Sequence, residues 1–220
     1  MKGLILKDLY NLAGNVRYML FAMIIIAIGI IPSSDGVGFP IIYAIMLSII
    51  TISTFTFDDT SKWTGYALTM PVSRNELVKS KFIVLAFFCI IGCISGIVTD
   101  IAGGVVMKRF DSYAENIGVT FLLDLAALGI SLIFGSTMIP VVIKFGAEKA
   151  RILMAVVIIV LAMIIWGGIT LALSINRDTE LINFVEENIL ILLCGLFVFA
   201  LLWSYVMYRI SCNILKNKEF

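Results

Sequence analysis

Two carboxylates stand where carboxylates are expensive. Asp100 closes one long apolar run, and Asp124 lies some seven residues inside another. Membrane-buried carboxylates face a cavity or a partner, so their chemistry would be attraction of a cationic cargo, ion coupling, or an ion pair with Lys108 or Arg109 at the rim. An intramembrane enzyme could use the same acids, but the rest of its machinery is missing. The 220-residue chain has no histidine, which removes the commonest metal ligand and the commonest general base at neutral pH. No G-x-x-x-x-G-K-[ST] stretch occurs, so no loop here is built to cradle a nucleotide phosphate. The cysteines, Cys89, Cys93, Cys194 and Cys212, form no Cys-x-x-Cys pair and read as reduced packing residues. No catalytic residue and no metal site is expected.

A second candidate is a polar segment between two apolar runs, "FDDTSKWTGYALTMPVSRNELVKSK", Phe57 to Lys81. Trp63, Tyr66, Ala67 and Met70 recur at i, i+3, i+4 and i+7, one face of a short helix, although Gly65 weakens it. Pro71 breaks that helix, and Ser73 with Glu76 three residues on has the form of a capping box opening another. Arg74, Asn75 and Lys79 follow on this second helix, and Lys81 leads into the next apolar run. The aromatics could be plain headgroup anchors. Two short capped helices in an L nevertheless exceed what a tether of neighbouring spans requires. A Trp, Tyr and Met stripe is favoured docking material, so the knob is expected to bind a protein.

The elements that must carry these residues belong in a bilayer. Hydrophobic residues make up 61% of the chain and charged residues 14%, and the mean hydropathy is +1.08. Soluble domains run about 45–50% apolar and about 25% charged, so this is an integral membrane protein. A net charge of +1 gives no hint of nucleic-acid binding. A spanning helix needs about 20 mostly apolar residues. Six such spans are expected, over about 17–33, 38–57, 82–107, 117–143, 152–175 and 188–209. No Ala-x-Ala-like site follows the first run, so it is expected to be a span rather than a cleaved leader. Before it, Ile5, Leu9, Leu12 and Val16 share a face, which predicts an interfacial amphipathic helix over 2–15.

Lysine and arginine counts set the orientation. With the N-terminus inside, the inner flanks hold Lys2, Lys7, Arg17, Lys62, Arg74, Lys79, Lys81, Lys144, Lys149, Arg151, Arg209, Lys216 and Lys218. The outer flanks hold Lys108, Arg109 and Arg177, so the balance is 13 to 3 and both ends are expected in the cytoplasm. Asp100 lies 18 residues beyond Phe82, about 27 Å along a helix, hence near the outer interface; Asp124 lies about 10 Å deep. Small residues at Gly92-x-x-x-Gly96, Gly103–Gly104 and Ser131-x-x-x-Gly135 permit close helix approach, either within the bundle or between two copies. Gly167–Gly168 could permit a bend in the fifth span.

The N-terminal "MKGLILKDLYNL" and the "DD..KWTGYALTMPVSRNELVKSK" segment after the second span resemble ABC type-2 export permeases. The likeness is nearest to the small six-span subunits of phenol-soluble-modulin-type peptide exporters. Its specific part is confined to roughly 1–12 and 57–82. It implies an elbow helix at 2–15 and a coupling-helix loop at 58–81 docked on a separate ABC ATPase, which would hold the ATP and magnesium. It further implies two ATPase copies, a second permease chain (identical or similar), a bacterial-type plasma membrane, and a hydrophobic or amphipathic peptide cargo exported for secretion or self-protection. Two alternatives stay open. One is a secondary transporter coupling ions through Asp100 and Asp124, though no repeat relates 1–110 to 111–220. The other is a non-transporting sensor or scaffold subunit.

Overall fold

The computed structural model describes residues 2–31, 39–67, 69–107, 117–150, 152–153, 156 and 179–217. Regular structure among the described residues is helical throughout. Hydrocarbon imposes this, because a helix satisfies its own backbone groups where water cannot. The helices are α1 (Lys2–Ile30), α2 (Phe39–Thr60), the single-turn α3 (Trp63–Ala67), α4 (Arg74–Val106), α5 (Ile117–Phe145) and α6 (Thr179–Lys216). Five of them, all but α3, are long and apolar enough to cross a membrane. They correspond to the first four and the last of the expected spans. The expected fifth span, 152–175, with Gly167–Gly168, and the segments carrying Lys108, Arg109 and Arg177 lie outside the described residues, three scattered positions apart.

Packing places α5 and α2 inside and α1 and α6 outside. In its most apolar stretch α5 is 67% buried and α2 56%, against 11% for α1 and 6% for α6. The contact between α2 and α4 is backbone to backbone. A Cβ at Gly92 would sit 2.6 Å from the Ala44 Cα, and one at Gly96 would overlap the Pro40 backbone. The Gly-x-x-x-Gly stripe is thus spent on an internal contact with α2. Gly135 likewise abuts the Leu85 side chain, and Gly129 the Leu196 side chain. Outward faces of α1, α4 and α6 carry Phe21, Ile28, Val98, Leu202 and similar apolar side chains, as a lipid-facing surface requires. At the end of α5, Gly146 takes φ +82°, the left-handed cap conformation that glycine adopts without a Cβ penalty, and its N–H bonds Val142 O at 2.8 Å.

Two local expectations are corrected. Residues 2–15 are not a separate elbow: α1 runs unbroken from Lys2 to Ile30. No proline interrupts it, and the face of Ile5, Leu9, Leu12 and Val16 packs on Phe39, Tyr43, Leu47, Val84 and Phe88 rather than outward. The second helix of the loop is not short either; its capped start at Arg74 is the start of the 33-residue α4. Here the capping box opens the third span directly. At the other end of the chain, α6 runs 38 residues from Thr179 to Lys216.

Candidate functional site

The two ends of this bundle differ in chemistry. At one end α2 terminates in Asp58 and Asp59 with no basic residue in its last turn. Carboxylates there oppose the helix dipole and need cations or N–H donors from elsewhere. Both find them. Asp59 Oδ2 accepts the Ala147 N–H at 3.3 Å, just past the Gly146 cap. Asp58 receives two ammonium groups, one from Lys7 on α1 and one from Lys81 on α4 at 2.6 Å. The same two lysines also reach Asp8 of α1, at 3.1 and 2.9 Å. Each cation thereby bridges both anions, and four side chains close a neutral ring joining three helices. Asp8, Asp58 and Lys81 are 1, 8 and 8% exposed, and Lys7 22%.

Loop 61–73 folds over this ring. The chain turns through Lys62, at φ 51°, into α3. Trp63 is half-buried, and the Lys7 ammonium lies 4.7 Å from its ring centroid. The Lys81 ammonium stands 5.0 Å from the Phe55 ring. The Trp63 Nε1–H is buried with no acceptor among the described residues. A cavity of about 60 Å³ adjoins it, lined by Phe55, Asp58, Trp63, Lys81, Val142 and Leu215 among others.

The expected stripe is therefore divided. Ala67 is buried and Trp63 faces the bundle, while Tyr66 and Met70, 58 and 38% exposed, form the outer side. Helix α3 ends at Ala67, short of Met70. Pro71 is exposed, and Ser73 caps α4 in extended conformation: its side chain accepts the Glu76 N–H, and Glu76 accepts the Ser73 N–H at 3.0 Å. That backbone bond, then the Ser73 side chain, hold the Glu76 carboxyl below its usual range. Asn75 and Lys79 are exposed. Arg74 turns inward and donates to the carbonyls of Leu215 and Lys216 at 2.9 and 2.6 Å, closing the last turn of α6 against the loop.

Asp100 and Asp124 lie toward the opposite end. Both are buried, on α4 and α5, and close enough to interact electrostatically. Asp100 accepts a hydrogen bond from the Phe39 backbone at the start of α2, and its Oδ1 has no partner among the described residues. The Cys93 thiol donates to the Asp124 carbonyl at 3.5 Å. Lys108 and Arg109, the expected rim partners, lie outside the described residues.

A family comparison decides what this architecture belongs to. Residues 3–216 match the sequence profile described as ABC-2 family transporter protein, nearly the whole chain. The chain is a member of the ABC-2 transporter family. Searches of curated proteins and of solved structures returned no match. The permease is thus a multi-pass membrane subunit of an ABC transporter, a transport chain whose family works with an ABC ATPase. In the permease the ring residues Lys7, Asp8, Asp58 and Lys81 escape sequence reasoning, which treats them as flank charges. The sole hint is that Asp58 and Lys81 bracket the loop with opposite signs.

Proposed function

We propose that this permease moves hydrophobic or amphipathic peptides out of the cell, powered by two copies of a separate ABC ATPase, with a second permease chain completing the pathway. Loop 61–73 is the docking element for the ATPase, on the cytoplasmic side that the lysine and arginine balance indicates. The observation that supports this most is the division of the loop. Trp63 meets Lys7 of α1, Ala67 is buried, and Arg74 just past the loop holds the last turn of α6, leaving Tyr66 and Met70 outward on a braced platform. ATPase closure would push such platforms together and rock the helices they are fixed to. Asp100 and Asp124 then line the outward part of the pathway and attract cationic cargo, which the unpartnered Asp100 Oδ1 favours.

ATP-driven uptake of a labelled cationic amphipathic peptide into inside-out vesicles from an overproducing host tests this. Uptake should require ATP, and the Asp100→Asn, Asp124→Asn double variant should reduce it for cationic but not for neutral peptide. Uptake that an ion gradient drives without ATP would instead support the ion-coupled carrier.

A further inference from the structure

A five-residue helix does not hold its own position, since one turn cannot offset its nucleation. Something in the bundle must hold α3, and no hydrogen bond from its tryptophan does so, because the Trp63 Nε1–H lacks an acceptor among the described residues. What faces the indole is the Lys7 ammonium, 4.7 Å from its centroid, with the Tyr66 ring 5.6 Å away on the same turn. That ammonium belongs at the same time to the ring with Asp8 and Asp58.

We propose that the ring of Lys7, Asp8, Asp58 and Lys81 is the positioning device for α3, with Lys7 as the link that passes the placement of α1 to the loop. These are positioning residues; none needs to touch an ATPase or a cargo. Lys81 and Asp8 alone would tie α1 to α4, so the tie between helices does not by itself require Lys7. The position of Trp63 does. With Lys7 present, the π face meets a cation, which attracts it. Without Lys7, the ring keeps two carboxylates against one ammonium, and the indole's negative face then borders net negative charge, which repels it. The ring thus holds α3 down only while it is neutral and Lys7 is in place. The consequence for transport rests on the docking role proposed above for loop 61–73.

The test reads Trp63 directly and needs no ATPase. In purified full-length permease carrying Trp166→Phe and Trp203→Phe, acrylamide quenching and emission wavelength report the exposure of Trp63. Lys7→Met should raise quenching and red-shift emission, with a roughly two- to five-fold loss of the docked population, the size a partly exposed cation–π contact supports. Lys7→Arg should leave both at the starting values, since a guanidinium keeps the charge and stacks on aromatic faces. Lys7→Met with Asp58→Asn should recover part of the protection, because the neutral Lys81–Asp8 pair that remains lifts the repulsion while the cation–π contact stays lost. Unchanged Trp63 emission in Lys7→Met, or no recovery in the double variant, overturns the proposal. If Lys7→Met alone does not give monodisperse protein, the double variant decides: it must fold, with Trp63 more quenchable than in wild type, and equal quenching overturns the proposal. Met70→Ala in the same background separates the two ideas, since Met70 lies beyond α3 on the exposed side, bears on ATPase docking and should leave Trp63 quenching unchanged.

Discussion

Replacing Asp8 by Asn keeps the shape of the side chain and removes its charge, leaving two ammonium groups to share Asp58. Asp8 sits 3.1 and 2.9 Å from the two lysines and is 1% exposed. At an effective dielectric constant of about 20, each contact is a Coulomb attraction of roughly 5–6 kcal/mol. Most of that is offset by the desolvation of the carboxylate and by its repulsion from Asp58. What remains is the penalty for breaking a buried pair by removing one partner, about 3–5 kcal/mol. For a chain of this length that is a fall in melting temperature of order 10 °C, at about 2–4 °C per kcal/mol. Adding Lys7→Met should reverse most of the loss. The surviving Lys81–Asp58 pair, at 2.6 Å, is again neutral, and Lys7 is the most exposed of the four. The assay is thermal unfolding of purified permease in mild detergent for wild type, both single variants and the double. A melting temperature of Asp8→Asn near wild type, or a double variant no better than Asp8→Asn, would refute the ring as a cooperative unit.

At the α2–α4 contact, Gly96→Ala should destabilise by about 1–3 kcal/mol or more, because its Cβ would meet the Pro40 backbone, which cannot give. Gly195→Ala, with nothing within 4 Å, should be neutral or slightly stabilising in the same melting assay. Arg74→Ala should speed amide exchange over residues 212–216 by freeing the Leu215 and Lys216 carbonyls, and Arg74→Lys should not fully restore it, since a lysine lacks the planar fork. The Glu76 carboxyl, held below its usual value of 4.5 by Ser73, contributes capping that is complete above about pH 4.5 and lost as pH falls through the lower folded value. Amide protection at Ser73 and Glu76, taken relative to the intrinsic exchange rate at each pH, should therefore fall only in that acidic window, and Glu76→Gln should remove that fall.

Much of this architecture can be read from local pattern. The capping box from Ser73 to Glu76 is a four-residue signature, and it occurs where the spacing predicts. Span positions follow from apolar run length, and the Gly92–Gly96 stripe announces a close contact, although not that α2 supplies it. The ring is different in kind. Lys7 meets Asp58 across 51 positions and Lys81 meets Asp8 across 73, and no periodicity links them. Each looks like an ordinary flank charge until the fold places α1 beside α2 and α4. The break expected near residue 15 fails for a related reason. Amphipathicity shows that a face is covered without showing by what, and here protein covers it as the helix continues. Arg74 and Trp63 were legible as loop residues, but their inward turn depends on α6 and α1, elements distant in sequence.

The measurement bearing most directly on the account is co-purification of an ATPase with tagged permease from its own host in mild detergent, comparing wild type with the Tyr66→Ala, Met70→Ala variant. Both side chains are exposed, so melting temperature should be unchanged and serves as the control. The account predicts that an ATPase carrying a G-x-x-x-x-G-K-[ST] loop accompanies wild type and is lost from the variant. An ATPase retained equally by both would contradict it and move the docking surface away from loop 61–73.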